Sequence, residues 1–297
     1  MQYTTKNIAI VIPTSGNKLI LSVLKSIKKQ TKKAGQIIVV QNQKKKFNFP
    51  LKITLIFSRI KSQIFQRSLA KKYLKKNIKI ILQLDDYVYL KKNALEELAK
   101  DWNNSPKNTA GIGLNVVNYI LTKRNFLHRI LDSNSKFPGK VLRSGYVTAW
   151  DKNFFTETPD WLNGGTTSWN LKYAKDLFKR KYPLLKWSVC EDVIYSYNKS
   201  KKFKLKLSKK AKAQYLPRTT KKSFFENFDR GLILSKIVKN FVIFDKELSL
   251  IEFYKQTIVI SIFGVFFNMI LFNFSYTGYF IARILGCFKK TYKFRIK

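Results

Sequence analysis

Short apolar runs alternate with segments of helical period over the first third of the chain. Ile8-Ala9-Ile10-Val11-Ile12 is continuously apolar and is stopped by Pro13. Gln36-Ile37-Ile38-Val39-Val40, Ile53-Thr54-Leu55-Ile56-Phe57 and Ile80-Ile81-Leu82-Gln83-Leu84 follow. Runs of this length between turn residues predict strands, the first buried and the last buried on both faces. Between the first two, Leu19, Leu21, Val23, Leu24 and Ile27 recur near helical spacing, with Lys25, Lys28 and Lys29 elsewhere. That pattern predicts a helix, broken by Gly35. Ser62 to Tyr73 predicts a second helix, leading to the fourth strand. Strand, helix, strand in such lengths forms βαβ units, so the fold class is α/β with a mostly parallel sheet.

Further along, Asn93 to Trp102 predicts a helix, with Ala94, Leu95, Leu98 and Ala99 on one side. Ile112 to Leu121 predicts a strand. Lys44 to Pro50 is a basic loop, and Lys123 to Gly139 is polar and irregular. From Lys199 to Lys212, lysines alternate with Phe203, Leu205 and Leu207, as in a strand with a solvated basic face. Phe224 to Phe244 predicts one amphipathic helix or two. Gln256 to Ala282 carries no charged residue, and its core, Thr257 to Phe274, is long enough for a bilayer span.

Composition narrows the classes. The 297 residues are 45% hydrophobic and 15% aromatic, which describes a packed chain with a sizeable core. The net charge of +41, from 58 basic against 17 acidic residues, attracts nucleic acid, anionic lipid or phosphorylated substrates. A lysine-rich coding bias accounts for most of that excess. Cys190 and Cys287 form neither a metal spacing nor a disulfide framework, which suits a reducing compartment. His128 has no partner at metal-site spacing. No Walker-type loop and no GxGxxG is present. Met1 to Asn7 is polar and the apolar run after it is short, so no signal peptide is expected.

The candidate chemistry lies in two acidic pairs. Asp85 and Asp86 end the fourth apolar run, and ligands in open parallel sheets bind beyond the carboxyl ends of the strands. A catalytic metal or a sugar nucleotide would be held there; a surface turn is the plainer alternative. Arg67, on the helix upstream, could pair with a diphosphate or be a solvated charge. Glu191-Asp192 stands out in a basic context, either as the acidic start of a helix or as a general base. Between the pairs lies Trp161-Leu162-Asn163-Gly164-Gly165-Thr166-Thr167-Ser168-Trp169. Its paired glycines suggest close approach of the backbone to a ligand, and its indoles offer faces for sugar stacking or for core packing.

Ile10-Val11-Ile12-Pro13-Thr14, Ile37-Ile38-Val39-Val40, Gln66-Arg67 and Leu84-Asp85-Asp86, in this order and spacing, resemble the nucleotide-binding half of family 2 glycosyltransferases, which have the GT-A fold. Phe137 to Tyr146 resembles a segment of those that build surface polysaccharides in bacteria. The resemblance covers Ile8 to Leu207. It implies a nucleotide-sugar pocket at Pro13, Thr14, Gln41, Asn42, Arg67, Asp85 and Asp86. It implies a divalent metal, Mg²⁺ or Mn²⁺, on Asp86 and Asp85. Trp161, Gly164 and Gly165 would contact the acceptor, with a helix from Leu171 to Lys179 behind them. Asp192 would be the general base of an inverting transfer to a hydroxyl of a glycan or lipid-linked acceptor, with Glu191 as its neighbour and possible substitute. Two departures stand out. Gln41-Asn42-Gln43 replaces the family's acidic residue, and Tyr87 replaces a third Asp. They leave a GT-A-like protein with impaired catalysis as one alternative. A basic nucleic-acid-binding protein is another, although no RRM, KH or helix-turn-helix signature appears and no nucleic acid is expected as a partner.

The expected organisation is a catalytic domain over 1–215, with a nucleotide-binding half over 1–100 and an acceptor half over 101–215. A helical region over 216–297 would follow, with a membrane-associated segment over 256–288. The basic residues after Ala282 would stay cytoplasmic by the positive-inside rule. A single span would then put the catalytic domain outside, away from cytosolic nucleotide sugars. An interfacial or re-entrant helix, docked on the anionic inner leaflet at the cytoplasmic face, is therefore expected. A buried helix of a soluble domain is the alternative.

Overall fold

The structure, a computed structural model, describes residues 2–43, 46–118, 139–148, 158–177, 189–217 and 223–290. His128, Phe137, Pro138 and most of the irregular Lys123 to Gly139 stretch lie outside them.

The apolar runs form strands β1 (Ile8–Thr14), β2 (Gln36–Gln41), β3 (Thr54–Phe57) and β4 (Ile80–Leu84), pairing in parallel in the order β3-β2-β1-β4. Side chains alternate between faces, as the period of two requires. Ile8, Ile10, Ile12, Ile80, Leu82 and Leu84 pack in one buried cluster, while Val11 and Ile81 pack in another on the opposite face. Helix α1 (Leu19–Lys28) covers the first face with Ile20, Val23, Leu24 and Ile27. Helix α2 (Gln63–Ala70) lies against β1 and β2 on the other and is capped by Ser62. Pro13 does not stop the first strand. It pairs with Val40, and the missing N–H is tolerated because the ladder to β4 already ended at Val11.

Past β4 the chain crosses the strand ends to β5 (Val88–Leu90), then forms α3 (Ala94–Asn103) and β6 (Thr109–Val116). The sixth strand starts three residues before the expected Ile112. Strand β7 (Thr166–Asn170) inserts antiparallel between β4 and β6, and β8 (Lys204–Tyr215) completes the sheet. The order across the eight strands is β3-β2-β1-β4-β7-β6-β8-β5, with four parallel and three antiparallel pairings. The expected helix from Leu171 is a set of turns through Leu177. Asn170 accepts from the Ala174 N–H through its carbonyl and from the Lys172 N–H through its side chain, and this curls the chain before a helix can propagate.

Helix α4 (Glu191–Ser200) precedes β8, and three helices follow it: α5 (Phe224–Phe244), α6 (Leu250–Ile270) and α7 (Phe274–Phe288). The uncharged stretch is thus not one helix. It breaks at Leu271 to Asn273, where Phe272 takes a left-handed φ of 51°. Tyr254 stacks on Phe288 and Gly264 faces Phe280, so α6 and α7 are antiparallel. Asn227 bonds Ser275 and Lys239 bonds the Cys287 carbonyl, so α5 runs parallel to α7.

Candidate active site

The site forms where β1 and β4 end and β7 begins. Because β7 is antiparallel to β4, with Leu84 opposite Thr166, the Gly164-Gly165 pair is delivered beside Asp85. The Asp85 N–H donates to the Gly165 carbonyl at 3.1 Å. A Cβ on Gly165 would overlap the Asp85 carboxylate. On the other side, the Gly164 N–H donates to Asp192 Oδ2 at 2.9 Å, and a Cβ there would lie 2.9 Å from Asp192 Cβ. The two acidic pairs, with 104 residues between Asp86 and Glu191, therefore share one strap of backbone. The close approach foreseen for the glycines is to these carboxylates.

Asp85 and Asp86 turn to different partners. Asp85 Oδ1 accepts from Arg67 Nη2 at 3.0 Å and from the Gln63 amide, and Oδ2 accepts from the Tyr87 hydroxyl at 2.9 Å. The Arg67 and Asp85 side chains are only 7% and 13% exposed, so this is a buried ion pair whose charge is satisfied within the protein. Asp86 faces β1, where Thr14 Oγ1 donates to its Oδ2 at 2.6 Å. Gln66, next to Arg67, donates to the carbonyls of Thr14 and Val40 and so ties together the ends of β1 and β2. Pro13 and Gln41 are buried at those ends, and Asn42 is half-buried just past β2.

Arg67 also reaches toward the second acidic pair. A Cβ on Gly164 would lie 3.4 Å from Arg67 Nη1. Glu191 and Asp192 open α4, where the helix N-terminus favours carboxylates. Asp192 Oδ1 accepts from the Val193 N–H at 2.9 Å. Both residues are half-buried. Burial, with the Asp192 charge adding to it, pushes the Glu191 carboxyl up to about 7, against the pull of Arg67. Burial also raises Asp192, opposed by the Gly164 and Val193 N–H groups and by Arg67. Both carboxyls are thus held above their ordinary range, Glu191 near neutrality.

Cys190 precedes them with a left-handed φ of 57°. It packs against the cluster of Val238, Val242, Phe253 and Cys287 and joins the start of α4 to the C-terminal helices. Burial and the neighbouring Asp192 and Glu191 raise its thiol. It is thus not an activated nucleophile.

Trp161 is buried, and Trp169 packs in the core against Ala110, Leu162 and Leu205, with Tyr195 at its edge. Sequence reading missed Gln63 and took Tyr87 only as a departure. Gln63 lies four residues before Arg67 and so shares its helix face, a spacing that could have found it. Tyr87 stacks near Tyr215, whose hydroxyl accepts from Asn163 at 2.7 Å. Only the tertiary pairing of β5 with β8 makes that contact.

A divalent cation would find one suitable oxygen ligand set here. Asp86 accepts from the Thr14 hydroxyl, and Asp85 is engaged by three donors, one of them Arg67. Among the described residues no group of three His, Cys, Asp or Glu side chains converges. Magnesium-type ions need only one or two carboxylates when phosphates and water supply the rest, so the arrangement fits an ion shared with a substrate.

No family model matches the chain, and no curated protein matches it. Solved structures do. Residues 1–349 of S. aureus TarS match at 14% identity over 86% of this chain and 69% of that one, with a TM-score of 0.51. The mannosyltransferase PcManGT from Pyrobaculum calidifontis, in complex with GDP-Man and Mn²⁺, matches at 12% identity over 94% of this chain and 86% of its own, with a TM-score of 0.55. GalNAc-T7 with UDP, GalNAc and Mn²⁺ matches at 14% identity and a TM-score of 0.53; 81% of this chain covers 48% of that one, about half its length. At such identities the likeness is one of architecture: the chain has the GT-A fold of glycosyltransferases.

Proposed function

We propose that this protein transfers a sugar from a nucleotide-sugar donor to a hydroxyl of a glycan or lipid-linked acceptor, with inversion, as a family 2 enzyme would. The observation that carries this reading is the Gly164-Gly165 strap, which holds Asp85 on one side and Asp192 on the other at the carboxyl ends of β1 and β4. Similar solved structures hold GDP-Man or UDP with Mn²⁺, which supports a nucleotide-sugar donor and a divalent cation here.

In this reading the nucleotide lies over Pro13, Thr14, Gln41 and Asn42, where amide groups can donate to and accept from a base edge. Asp86 would hold the cation, which when bound neutralises charge on the donor diphosphate. Asp85 keeps Arg67 in place, and Arg67 adds positive potential beside the departing group. Asp192, aimed by the Gly164 and Val193 N–H groups, takes the proton of the acceptor hydroxyl as the new bond forms. Burial and the Asp192 charge raise the Glu191 carboxyl to about 7, so Glu191 stands beside Asp192 as a substitute base. Trp161, Gly164 and Gly165 border the acceptor side.

Thermal shifts with UDP and GDP, with and without Mn²⁺, identify the nucleotide, because binding to the folded state raises the melting temperature. Turnover of the matching sugar donor, with the product anomer assigned by NMR, then tests transfer and inversion. Absence of any nucleotide-dependent shift, with or without Mn²⁺, would sink the reading.

A further inference from the structure

The three C-terminal helices bury polar side chains among apolar ones and expose further apolar side chains outside. Ser235, Asn240, Thr257 and Ser261 are fully buried, and Gln256, Thr277 and Arg283 nearly so. Gln256 bonds Ser144, the Thr257 hydroxyl meets the Tyr146 hydroxyl at 2.8 Å, and the Arg283 guanidinium sits 5.0 Å from the Tyr146 ring centre. Outside, Phe263, Phe266, Phe267, Met269, Ile270 and Phe272 are all exposed, Phe266 at 61% and Phe272 at 80%. The most apolar window of α6 has mean hydropathy 1.5 and is only 22% buried, so it is not a core helix. The helices touch through glycines. A Cβ on Gly231 would overlap the Tyr279 carbonyl, and one on Gly264 or Gly278 would lie 2.5 Å from the rings of Phe280 or Phe224. Small-residue contacts and polar interiors under an apolar exterior are how helices pack in lipid.

We infer that the α6–α7 hairpin enters one leaflet of a bilayer containing anionic lipid. The exposed apolar side chains run around the turn and on to Ile281, Leu285 and Phe288 of α7, which a protein partner covering one patch would not require. Lys246, Lys255, Lys289 and Lys290 are exposed at the opposite end of the hairpin, where they meet anionic headgroups. The α5 helix decides the depth. Phe224 packs on Gly278, so Glu226 and Asp229 stand level with the first turns of α7. Driving the hairpin straight through would carry these carboxylates into hydrocarbon at high cost. The insertion is therefore shallow and oblique, with the outer side of α6 and the Phe272 turn in the acyl region. Through Cys190 it sets the acidic pair of α4 near the membrane surface.

The test uses the full chain and flotation with phosphatidylcholine vesicles, with and without phosphatidylglycerol. The wild type floats with the anionic vesicles and stays bound in high salt. The Phe266→Asp, Phe272→Asp double variant loses about tenfold or more of its partitioning, as expected for apolar side chains removed from lipid. A nucleotide thermal shift that survives in this variant shows that the fold is intact and reads the donor site separately. Phe272→Trp supplies a second measure: its indole is quenched by lipids brominated on the acyl chains. Three results would overturn the inference: no flotation of the wild type, no quenching of the new indole, or a wild-type dimer that the double variant dissolves without any lipid binding, which would assign the face to a second copy.

Discussion

The sheet region and the C-terminal helices solve opposite burial problems with the same residue types. In the sheet, Ile8, Ile10, Leu82 and Leu84 are buried and the polar groups gather at the strand ends. In the helices, Ser235, Asn240 and Thr257 are buried beside Phe241 and Phe253, and Phe263, Phe266, Phe267 and Phe272 face outward. Water rewards the first arrangement, because apolar area leaves it at about 25 cal/mol per Å². It does not reward the second, whose exterior gains only when the surroundings are themselves apolar. The contrast teaches that the sheet is folded for water, whereas the exterior of the helices fits the apolar surroundings inferred above.

The contrast can be sharpened by substitution. The largest expected effect is at the site. Asp192→Asn should lower sugar transfer by about a thousandfold, equivalent to about 4 kcal/mol in the barrier, with the melting temperature little changed. Donor turnover measured beside Phe266→Asn, which should keep wild-type activity in detergent, checks that chemistry belongs to the sheet rim. Next comes a matched pair of polar substitutions. Leu82→Asn, in the sheet core, should cost about 3–4 kcal/mol in urea unfolding, because it leaves a void and a buried amide. Phe266→Asn should cost less than about 0.5 kcal/mol in the same assay. Equal losses would break the comparison. Third, Gly165→Ala and Gly231→Ala each place a methyl group against tightly held atoms and should cost about 2 kcal/mol. Only Gly165→Ala should also abolish the nucleotide thermal shift.

The smallest effect is a pH dependence. The Glu191 carboxyl is raised from an ordinary 4.5 to about 7, so the folded state holds its proton to higher pH than the unfolded chain does. Its contribution to stability is full below pH 4.5 and is lost as pH rises through 7. Glu191→Gln removes that loss. The variant should gain about 1–2 kcal/mol over the wild type at pH 8 and nothing near pH 4. Unfolding curves at the two pH values check this, and a gain at acid pH would reverse the assignment.

Much of the sheet was legible. Four apolar runs became β1 to β4; in β1, β2 and β4 continuous Val, Ile and Leu between turn residues fit a strand covered on both sides, whereas β3 lies at the sheet edge with Leu55 and Phe57 exposed. Asp85 and Asp86 were legible as a strand-end pair, but their division of labour was not. Arg67 and Gln63 come from α2, Tyr87 from the crossing to β5, and Thr14 from β1, so contacts across several elements separate the two carboxylates. The helix expected after Leu171 failed because the Asn170 side chain and carbonyl captured the next N–H groups, a local competition that period alone does not weigh. The apolar character of the stretch after Gln256 was legible. The break at Leu271 to Asn273 was not, since it has no proline and no glycine to mark it.

By itself the sequence determined the α/β class, the strand end that carries Asp85 and Asp86, and the apolar character of the last helices, because each depends on neighbours within a few residues. Only the tertiary structure decided that β7 runs antiparallel beside β4, so that Gly164 and Gly165 bring Asp85 and Asp192 to one backbone strap. It also decided that the C-terminal helices turn their polar residues inward. Both outcomes depend on which distant segments share a surface, and the short-range periodicity of hydrophobic residues carries no record of that choice.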